Sequence, residues 1–303
     1  MNEPGSILAP PRRILLATDL SARCDRALDR AAQLARQWRV PLVVVHAMAS
    51  DITEPWLFDD PSPTMDAVQV IRQRIERDLR GDVADLGIHV QEGAPGEVIL
   101  ATAAREHCDL IVLGDARDTL RHLVLGNTVE YLVRRSPVSV LIVKQRPRGP
   151  YQHIVVGTDF TTESRDGLHT AAALFPQAEL TLLHALDIPY KSLWLDPQHR
   201  DDFSRMERST IEAFVTDSKL PDAVKQRMQR LVEHGHPETM LRRYVLQHDV
   251  GLCVIGAFRR GITFHLLIGG NARRIVQLVP SDILVVRAPA ALAVEQPDEA
   301  THT

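Results

Sequence analysis

Short apolar runs alternate along this chain with stretches in which apolar residues recur at helical spacing. Residues 13–18 form a run of strand length, and Ala27, Ala31 and Leu34 then lie on one face of a helix. The first half continues with predicted strand 41–47, helix 62–81, strand 88–91, helix 96–106, strand 109–114, helix 127–135 and strand 138–144. Strands that are apolar on both faces and alternate with helices predict an α/β fold, in which helices cover both faces of a parallel sheet.

The second half repeats the landmarks of the first half in the same order. The hexapeptide ILLATD at 14–19 returns as IVVGTD at 154–159. The other repeated landmarks are 43–47 with 181–185, 93–97 with 235–238, 110–114 with 252–256, and 137–143 with 280–286. Because the offsets stay between 138 and 143 residues, the sequence predicts a duplicated domain with five strands in each copy.

Composition shifts place the boundaries of the two copies. Residues 145–150 are rich in proline, glycine and charge, as in a linker, and the last residues of the chain are polar. The predicted segments are an N-terminal tail 1–11, domain 12–145, linker 146–151, domain 152–288 and a disordered tail 289–303.

The last strand of each copy is predicted to lie at the edge of its own sheet. Strands 138–144 and 282–287 are apolar, and an exposed apolar edge invites pairing. We therefore expect the two strands to pair antiparallel, which would make the two copies an internal pseudo-dimer.

Composition and charge exclude several classes of partner. Hydrophobic residues make up 45% of the chain and charged residues 24%, and the formal net charge is −4. The chain lacks the basic tract interleaved with aromatics that nucleic-acid binding requires, and no apolar run approaches the roughly 20 residues of a membrane span. Residues 1–5 do not resemble a secretory signal, so a cytoplasmic protein is expected. Three cysteines without a Cys-x-x-Cys spacing argue against a disulfide framework or a zinc knuckle.

Two loops in each half are candidates for a ligand site. Ligands of open parallel sheets bind at the carboxyl ends of strands where the strand order reverses. That rule selects the loop with Asp19 and the loop from Gly114, and in the second half the loops with Asp159 and from Gly256. A glycine-framed loop that enters a helix presents free backbone N–H groups at the positive end of the helix dipole, which suits a phosphate.

These residues resemble the universal stress protein family. Members begin with an apolar strand ending in Asp and close with a Gly-x2-Gly-x9-Gly-Ser/Thr loop, a helix and a last apolar strand, and Gly93 and Gly235 also match a Gly-x-Pro element. The resemblance covers about residues 12–287. It implies Rossmann-like sheets of order 3-2-1-4-5, of the adenine-nucleotide alpha hydrolase type, a role in stress survival and, in many members, bound ATP, here with Mg²⁺. The cofactor-binding positions it selects are Asp19, Val44, Gly114, Arg117, Gly126, Asn127, Thr128, Asp159, Gly256, Arg259, Gly269, Gly270 and Asn271.

The glycine loops depart from the family pattern. Arg117 and Arg259 replace the second glycine, so a side chain stands where backbone would approach phosphate. The first copy keeps donors at Asn127 and Thr128, whereas Gly270 and Asn271 leave the second copy without the hydroxyl. The pattern therefore favours nucleotide binding in the first half, where an arginine could itself pair with phosphate oxygens.

The aspartates at the strand ends have two interpretations. Asp19 and Asp159 could contact ribose or a metal ion, as the resemblance implies. With Ser21 and Thr161 nearby, they could equally cap the helices that follow, and both roles are compatible.

The histidines also have a structural interpretation. His46 and His184 occupy equivalent strand ends, and His122 and His265 occupy equivalent loop positions, which favours packing over chemistry. Residues 233–236 contain two histidines beside a glutamate that could hold zinc, although exposed surface is the simpler interpretation.

Three functional hypotheses follow. The leading one is a non-enzymatic stress-response protein with ATP in the first half, because no Walker lysine, Gly-x-Ser-x-Gly elbow or triad is visible. The second is a degenerate scaffold that binds protein partners of unknown identity without nucleotide, and the third is a weak nucleotide hydrolase. A homodimer of the whole chain is left open.

Overall fold

The computed structural model describes residues 10–48, 67–79, 81, 83–115, 127–186, 197–257 and 270–287, with only the backbone for 127, 197–204, 270 and 271. The first half contains β1 (Ile14–Ala17), α1 (Asp25–Trp38), β2 (Leu42–Met48), α2 (Ala67–Asp78), β3 (Leu86–Glu92), α3 (Pro95–Arg105), β4 (Leu110–Gly114), α4 (Asn127–Arg135) and β5 (Ser139–Val143). The second half contains β6 (His153–Thr158), α5 (Thr162–Leu174), β7 (Glu179–Leu186), α6 (Pro197–Asp217), α7 (Asp222–Arg227), β8 (Gln229–His234), α8 (Pro237–Gln247), β9 (Leu252–Gly256), α9 (Gly270–Leu278) and β10 (Asp282–Val286).

The strands of the described residues form one continuous sheet across both halves. Its order is β3-β2-β1-β4-β5-β10-β9-β6-β7-β8. Within each half the strands are parallel and follow the order 3-2-1-4-5. The predicted fold class and strand order are therefore confirmed.

The two halves join through their last strands. β5 and β10 pair antiparallel, with Leu141 opposite Leu284 at the centre of the register. Leu284 lies 143 residues after Leu141, so equivalent positions of the two copies face each other. The predicted antiparallel pairing is confirmed, and each apolar strand edge is covered by the other copy.

Two apolar layers lie on the two faces of the sheet. One layer contains residues of α1, α2, α5 and α6, and the other contains residues of α3, α4, α8 and α9. Successive residues of a strand point to opposite layers, as Leu16 and Leu15 of β1 do, and both are fully buried. This arrangement explains why central strands such as β1 and β4 are apolar at every position.

A few element boundaries differ from the sequence prediction. The predicted helix 62–81 is observed as α2, which ends at Asp78, and Gly81 has a φ of 80° that no α-helix contains. Residues 62–66 lie outside the described residues. The short helix α7 was not predicted, because six residues are too few to show a helical period.

Among the described residues, no helix has the length and apolarity needed to cross a bilayer. The cytoplasmic location and the domain boundaries given above stay predictions.

Candidate nucleotide site

The strand order reverses at β1 in the first half and at β6 in the second. Ala17 of β1 pairs with Val45 on one side and with Leu113 of β4 on the other. The loops that follow β1 and β4 therefore leave the sheet side by side. This position is where open parallel sheets bind ligands, and it brings the regions of Asp19 and Gly114 together as the sequence predicted.

The two aspartates at the strand ends are exposed and organise the turns that follow them. Asp19 Oδ1 accepts a hydrogen bond from the Ser21 N–H at 2.9 Å. Partial burial would raise the pKa of Asp19, but hydrogen bonds from the Cys24 thiol and from Ser21 lower the pKa on balance. Asp159 Oδ1 accepts from the N–H of Thr161 at 3.2 Å and from its hydroxyl at 2.5 Å. Asp19 therefore stays ionised at neutral pH and presents a carboxylate at this edge.

The capping interpretation holds in the second half through Thr161, which Asp159 supports, and fails in the first half. Thr161 is the N-cap of α5, and its Oγ1 accepts from the Ser164 N–H at 3.3 Å. In the first half the helix begins later, at Asp25, and its N-cap, Cys24, makes no side-chain capping bond. The prediction that Asp19 and Ser21 cap a helix is wrong, because a turn separates them from α1.

The first glycine of each loop lies where the helix after the first strand packs closely. A Cβ on Gly256 would lie 2.1 Å from the carbonyl oxygen of Glu163 at the start of α5. A Cβ on Gly114 would lie 3.2 Å from the carbonyl oxygen of Arg23, just before α1. These glycines let the helix that follows the first strand approach the end of the fourth strand, whether or not a ligand binds.

The Gly-x-Pro element also has a local structural cause. Gly93 and Gly235 have φ values of 139° and 143°, a region that residues with a Cβ rarely adopt. Pro95 and Pro237 then occupy the first turn of α3 and α8, where a missing N–H costs nothing. This element ends the third strand and starts the next helix in both copies.

The remaining predicted site positions divide into three groups. Asn127 begins α4 and Gly270 begins α9, with Thr128 and Asn271 in the first turns. Arg117, Gly126, Arg259 and Gly269 lie outside the described residues. Val44 is fully buried in the middle of β2, between Leu16 and Ile88 on the neighbouring strands. Its predicted contact with a cofactor is not supported by this position.

The strand-end histidines hold the backbone of the neighbouring strand. Nδ1 of His46 lies 2.9 Å from the Thr18 carbonyl oxygen, and Nδ1 of His184 lies 2.8 Å from that of Thr158. A carbonyl can only accept, so both rings carry the proton on Nδ1. His184 also stacks on Phe160 with 4.2 Å between ring centroids. The packing interpretation of these two residues is supported, and His122 and His265 lie outside the described residues.

His234, the last residue of β8, faces a buried carboxylate. Nε2 of His234 lies 3.5 Å from Oε2 of Glu207 on α6, and burial raises the pKa of Glu207. Across the described part of the chain, no three His, Cys, Asp or Glu side chains are grouped so that they could hold a metal ion.

Sequence reasoning missed one participant in the first half. Cys24, for which the sequence suggested no role at the site, donates its thiol toward Asp19. The signal was available, because Cys24 aligns with Ser164, whose hydroxyl bonds to Thr158 and Thr161 in the second half.

The strand order and the two helical layers define a doubly wound α/β protein. The sequence profile of the Universal stress protein family matches residues 11–144 and again residues 150–287. The chain belongs to the universal stress protein family, as a tandem of two family domains.

Individual relatives agree with this assignment. Stress response protein NhaX of Bacillus subtilis (strain 168) is 27% identical over 165 residues, which covers 44% of this chain and 97% of NhaX. A universal stress protein from Archaeoglobus fulgidus has a TM-score of 0.64 at 17% identity, with 92% of this chain and 97% of that chain covered. A protein of unknown function from Pseudomonas aeruginosa has a TM-score of 0.68 at 20% identity, with 92% and 93% covered. These two structures share the fold along both halves.

Proposed function

We propose that this chain is a non-enzymatic stress-response protein whose first half binds an adenine nucleotide, with Mg²⁺, at the carboxyl ends of β1 and β4. The observation that carries the proposal is the reversal of strand order at β1, which places Asp19 and the loop from Gly114 side by side. Helix α4 begins at Asn127 directly after that loop, so its first N–H groups and its dipole favour an anionic group there.

The polar groups at this edge match the ribose and phosphate groups of a nucleotide. The Asp19 carboxylate is exposed and has a lowered pKa, so it can accept from ribose hydroxyls or hold Mg²⁺. Thr128 lies half-buried in the first turn of α4, where a hydroxyl can donate to a phosphate oxygen. The second half has Asn271 in place of that hydroxyl, so we assign the nucleotide to the first half.

Calorimetry of the full chain with ATP and Mg²⁺ tests this proposal. We expect one site per chain, lost in Gly126→Leu and kept in Gly269→Leu, the matched change at the equivalent position of the second copy. A wild-type chain that releases no heat at sub-millimolar ATP would refute the proposal. That result would favour the protein-binding scaffold. In such a scaffold, Gly114 and Gly256 would serve helix packing and no ligand.

Phosphate release measured on the same samples tests the hydrolase alternative. We expect no release above that of the Gly126→Leu variant. Release that disappears in Gly126→Leu and persists in Gly269→Leu would replace the non-enzymatic assignment with a hydrolase in the first half.

A further inference from the structure

The two halves meet through contacts that are not the same on both sides. Equivalent positions of the two copies face each other at the central pair Leu141–Leu284, and the flanking pairs Ile142–Ile283 and Val140–Val285 exchange when the two copies are exchanged. The halves therefore pair about an internal pseudo-twofold axis. A copy of either half paired with itself would place the same residue on both sides of the central pair. The residues that differ between the copies therefore decide which pairing is favoured.

The largest difference is a buried ion pair between the halves. Nε of Arg30 on α1 lies 3.5 Å from Oδ2 of Asp282 on β10, and the side chains are 5% and 0% exposed. The Arg30 guanidinium also lies 4.0 Å from the centre of the Tyr151 ring and donates to the Gly149 carbonyl oxygen at 2.9 Å. Tyr151 donates its hydroxyl to Asp282 Oδ2 at 2.6 Å.

The equivalent positions in the other direction carry no charge. Thr170 of α5 stands where Arg30 stands in α1, and Ser139 of β5 stands where Asp282 stands in β10. Two second halves paired together would bury Asp282 opposite Thr170, with no cation. Two first halves paired together would bury Arg30 opposite Ser139, with no carboxylate. A buried charge without its partner is strongly unfavourable.

A second charge difference lies on the other face of the sheet. Arg273 of α9 lies 3.4 Å from Glu130 of α4, and these two residues occupy equivalent positions, 143 residues apart. Self-pairing would set glutamate against glutamate or arginine against arginine. This pair is partly exposed, so it contributes less than the buried one.

An aromatic difference completes the set. Trp38 of α1 donates to the Leu174 carbonyl oxygen at 3.2 Å, and its ring lies 5.7 Å from that of Phe175. The equivalent residues are Ala178 and Ala35, which could not fill the same contact in a self-paired half.

We infer that the face formed by the last strand of each half, with α1, α4, α5 and α9, is a heterotypic recognition surface whose partner is the other half of this chain. The two halves select each other over copies of themselves. The linker keeps the two halves close together, and the Arg30–Asp282 and Glu130–Arg273 pairs make the mixed pairing more stable than either self-pairing. The preference expected from one uncompensated buried charge is roughly 100-fold.

The test uses the full chain with a protease site inserted in the linker between Arg146 and Pro147. After folding and cleavage, isotopically labelled and unlabelled samples are mixed, and the species are weighed by native mass spectrometry as exchange proceeds. We expect one-to-one complexes of a first and a second half, with self-paired halves at about 1% or less. Self-paired halves in statistical amounts, or separated halves at micromolar concentration, would overturn the inference.

Two variants distinguish recognition from simple stability. Glu130→Arg sets arginine against arginine in the mixed complex, so it should weaken that complex and raise the self-paired fraction of second halves, and adding Arg273→Glu should restore the mixed complex. Arg30→Met should raise the self-paired fraction of first halves at least tenfold, whereas Arg208→Met, on the exposed side of α6, should leave it unchanged. Equal effects of Arg30→Met and Arg208→Met would contradict the assignment to the buried pair.

Discussion

At the scale of single residues, the glycines at the ends of β4 and β9 are explained by packing against α1 and α5. The two copies differ in how closely the helix approaches, since the contact distances of a Cβ would be 3.2 Å at Gly114 and 2.1 Å at Gly256. Both contacts are with backbone atoms, which cannot move aside as a side chain can. The fold therefore requires glycine at position 256, and it tolerates a small side chain at position 114 at a lower cost.

We predict that Gly256→Ala destabilises the chain more than Gly114→Ala does. The expected losses in the free energy of unfolding are about 3 kcal/mol and about 1 kcal/mol respectively, because overpacking costs rise with the displacement it forces. Denaturant unfolding followed by circular dichroism measures both. Equal losses would show that the helix in the second half shifts freely.

The three cysteine thiols are predicted to be inert in the folded chain. Burial is the main cause that raises the pKa of Cys24, Cys108 and Cys253 to about 12 in each case. At pH 8 the thiolate that reacts is therefore almost absent. A chromogenic disulfide reagent should titrate no thiol in the native chain and three in denaturant.

The same pKa shifts give stability a pH dependence of known sign. Because the folded-state pKa of each thiol is raised, the unfolded chain ionises first as pH rises above about 8.5. The thiols therefore leave the free energy of unfolding unchanged below that pH, and they lower it as the pH increases toward 12. A Cys24→Ala, Cys108→Ala, Cys253→Ala chain should show a shallower fall in its thermal midpoint than wild type, and an identical fall would contradict the assigned burial.

At the scale of elements, each half caps a helix of the other. Lys144, just after β5, donates Nζ to the carbonyl oxygens of Val276 and Val279 at 2.5 and 2.6 Å, at the C-terminal end of α9. Arg287, at the equivalent position after β10, donates to the Val133 carbonyl oxygen of α4 at 2.7 Å. A cation at the C-terminal end of a helix also interacts favourably with the helix dipole.

We predict that Lys144→Met frays α9 and lowers the free energy of unfolding by about 1 kcal/mol. Hydrogen exchange of peptides from 270–279 should increase while exchange in α4 stays unchanged. Arg287→Met should produce the reverse pattern, with faster exchange in 127–135. The exposed control Arg208→Met should change neither helix.

At the scale of the whole molecule, the continuous sheet predicts that a loss of packing at the junction between the halves destabilises both of them. Leu141 and Leu284 face each other at the junction, and each is only 2% exposed. Both belong to the apolar layer that also contains residues of α1 and α5. Loss of packing at the junction therefore reaches both halves.

We predict that Leu284→Ala, which should cost about 3 kcal/mol, speeds hydrogen exchange in β5 as well as in β9 and β10. Leu182→Ala, in β7 of the same layer but four strands from β5 and three from β10 in the sheet order, should speed exchange in the second half only. Exchange confined to the second half in both variants would mean that the two halves of the sheet open independently.

The sequence by itself determined the duplicated α/β fold, the strand order through the family resemblance, and the pairing of the last strands. These follow from local periodicity and from a repeat long enough to align, since apolar strands flanked by helices have few ways to be buried. The sequence also pointed to the loops at Asp19 and Gly114, although it gave Asp19 a capping role that the turn before α1 removes.

Only the tertiary structure decided the contacts that depend on distance rather than on spacing. It placed Val44 in the core, assigned Gly256 to helix packing, and brought Arg30 to Asp282 across the junction. The physical reason is that residues 252 positions apart in the chain share a contact only after both halves of the sheet have formed and joined. No local pattern in a single sequence records that distance.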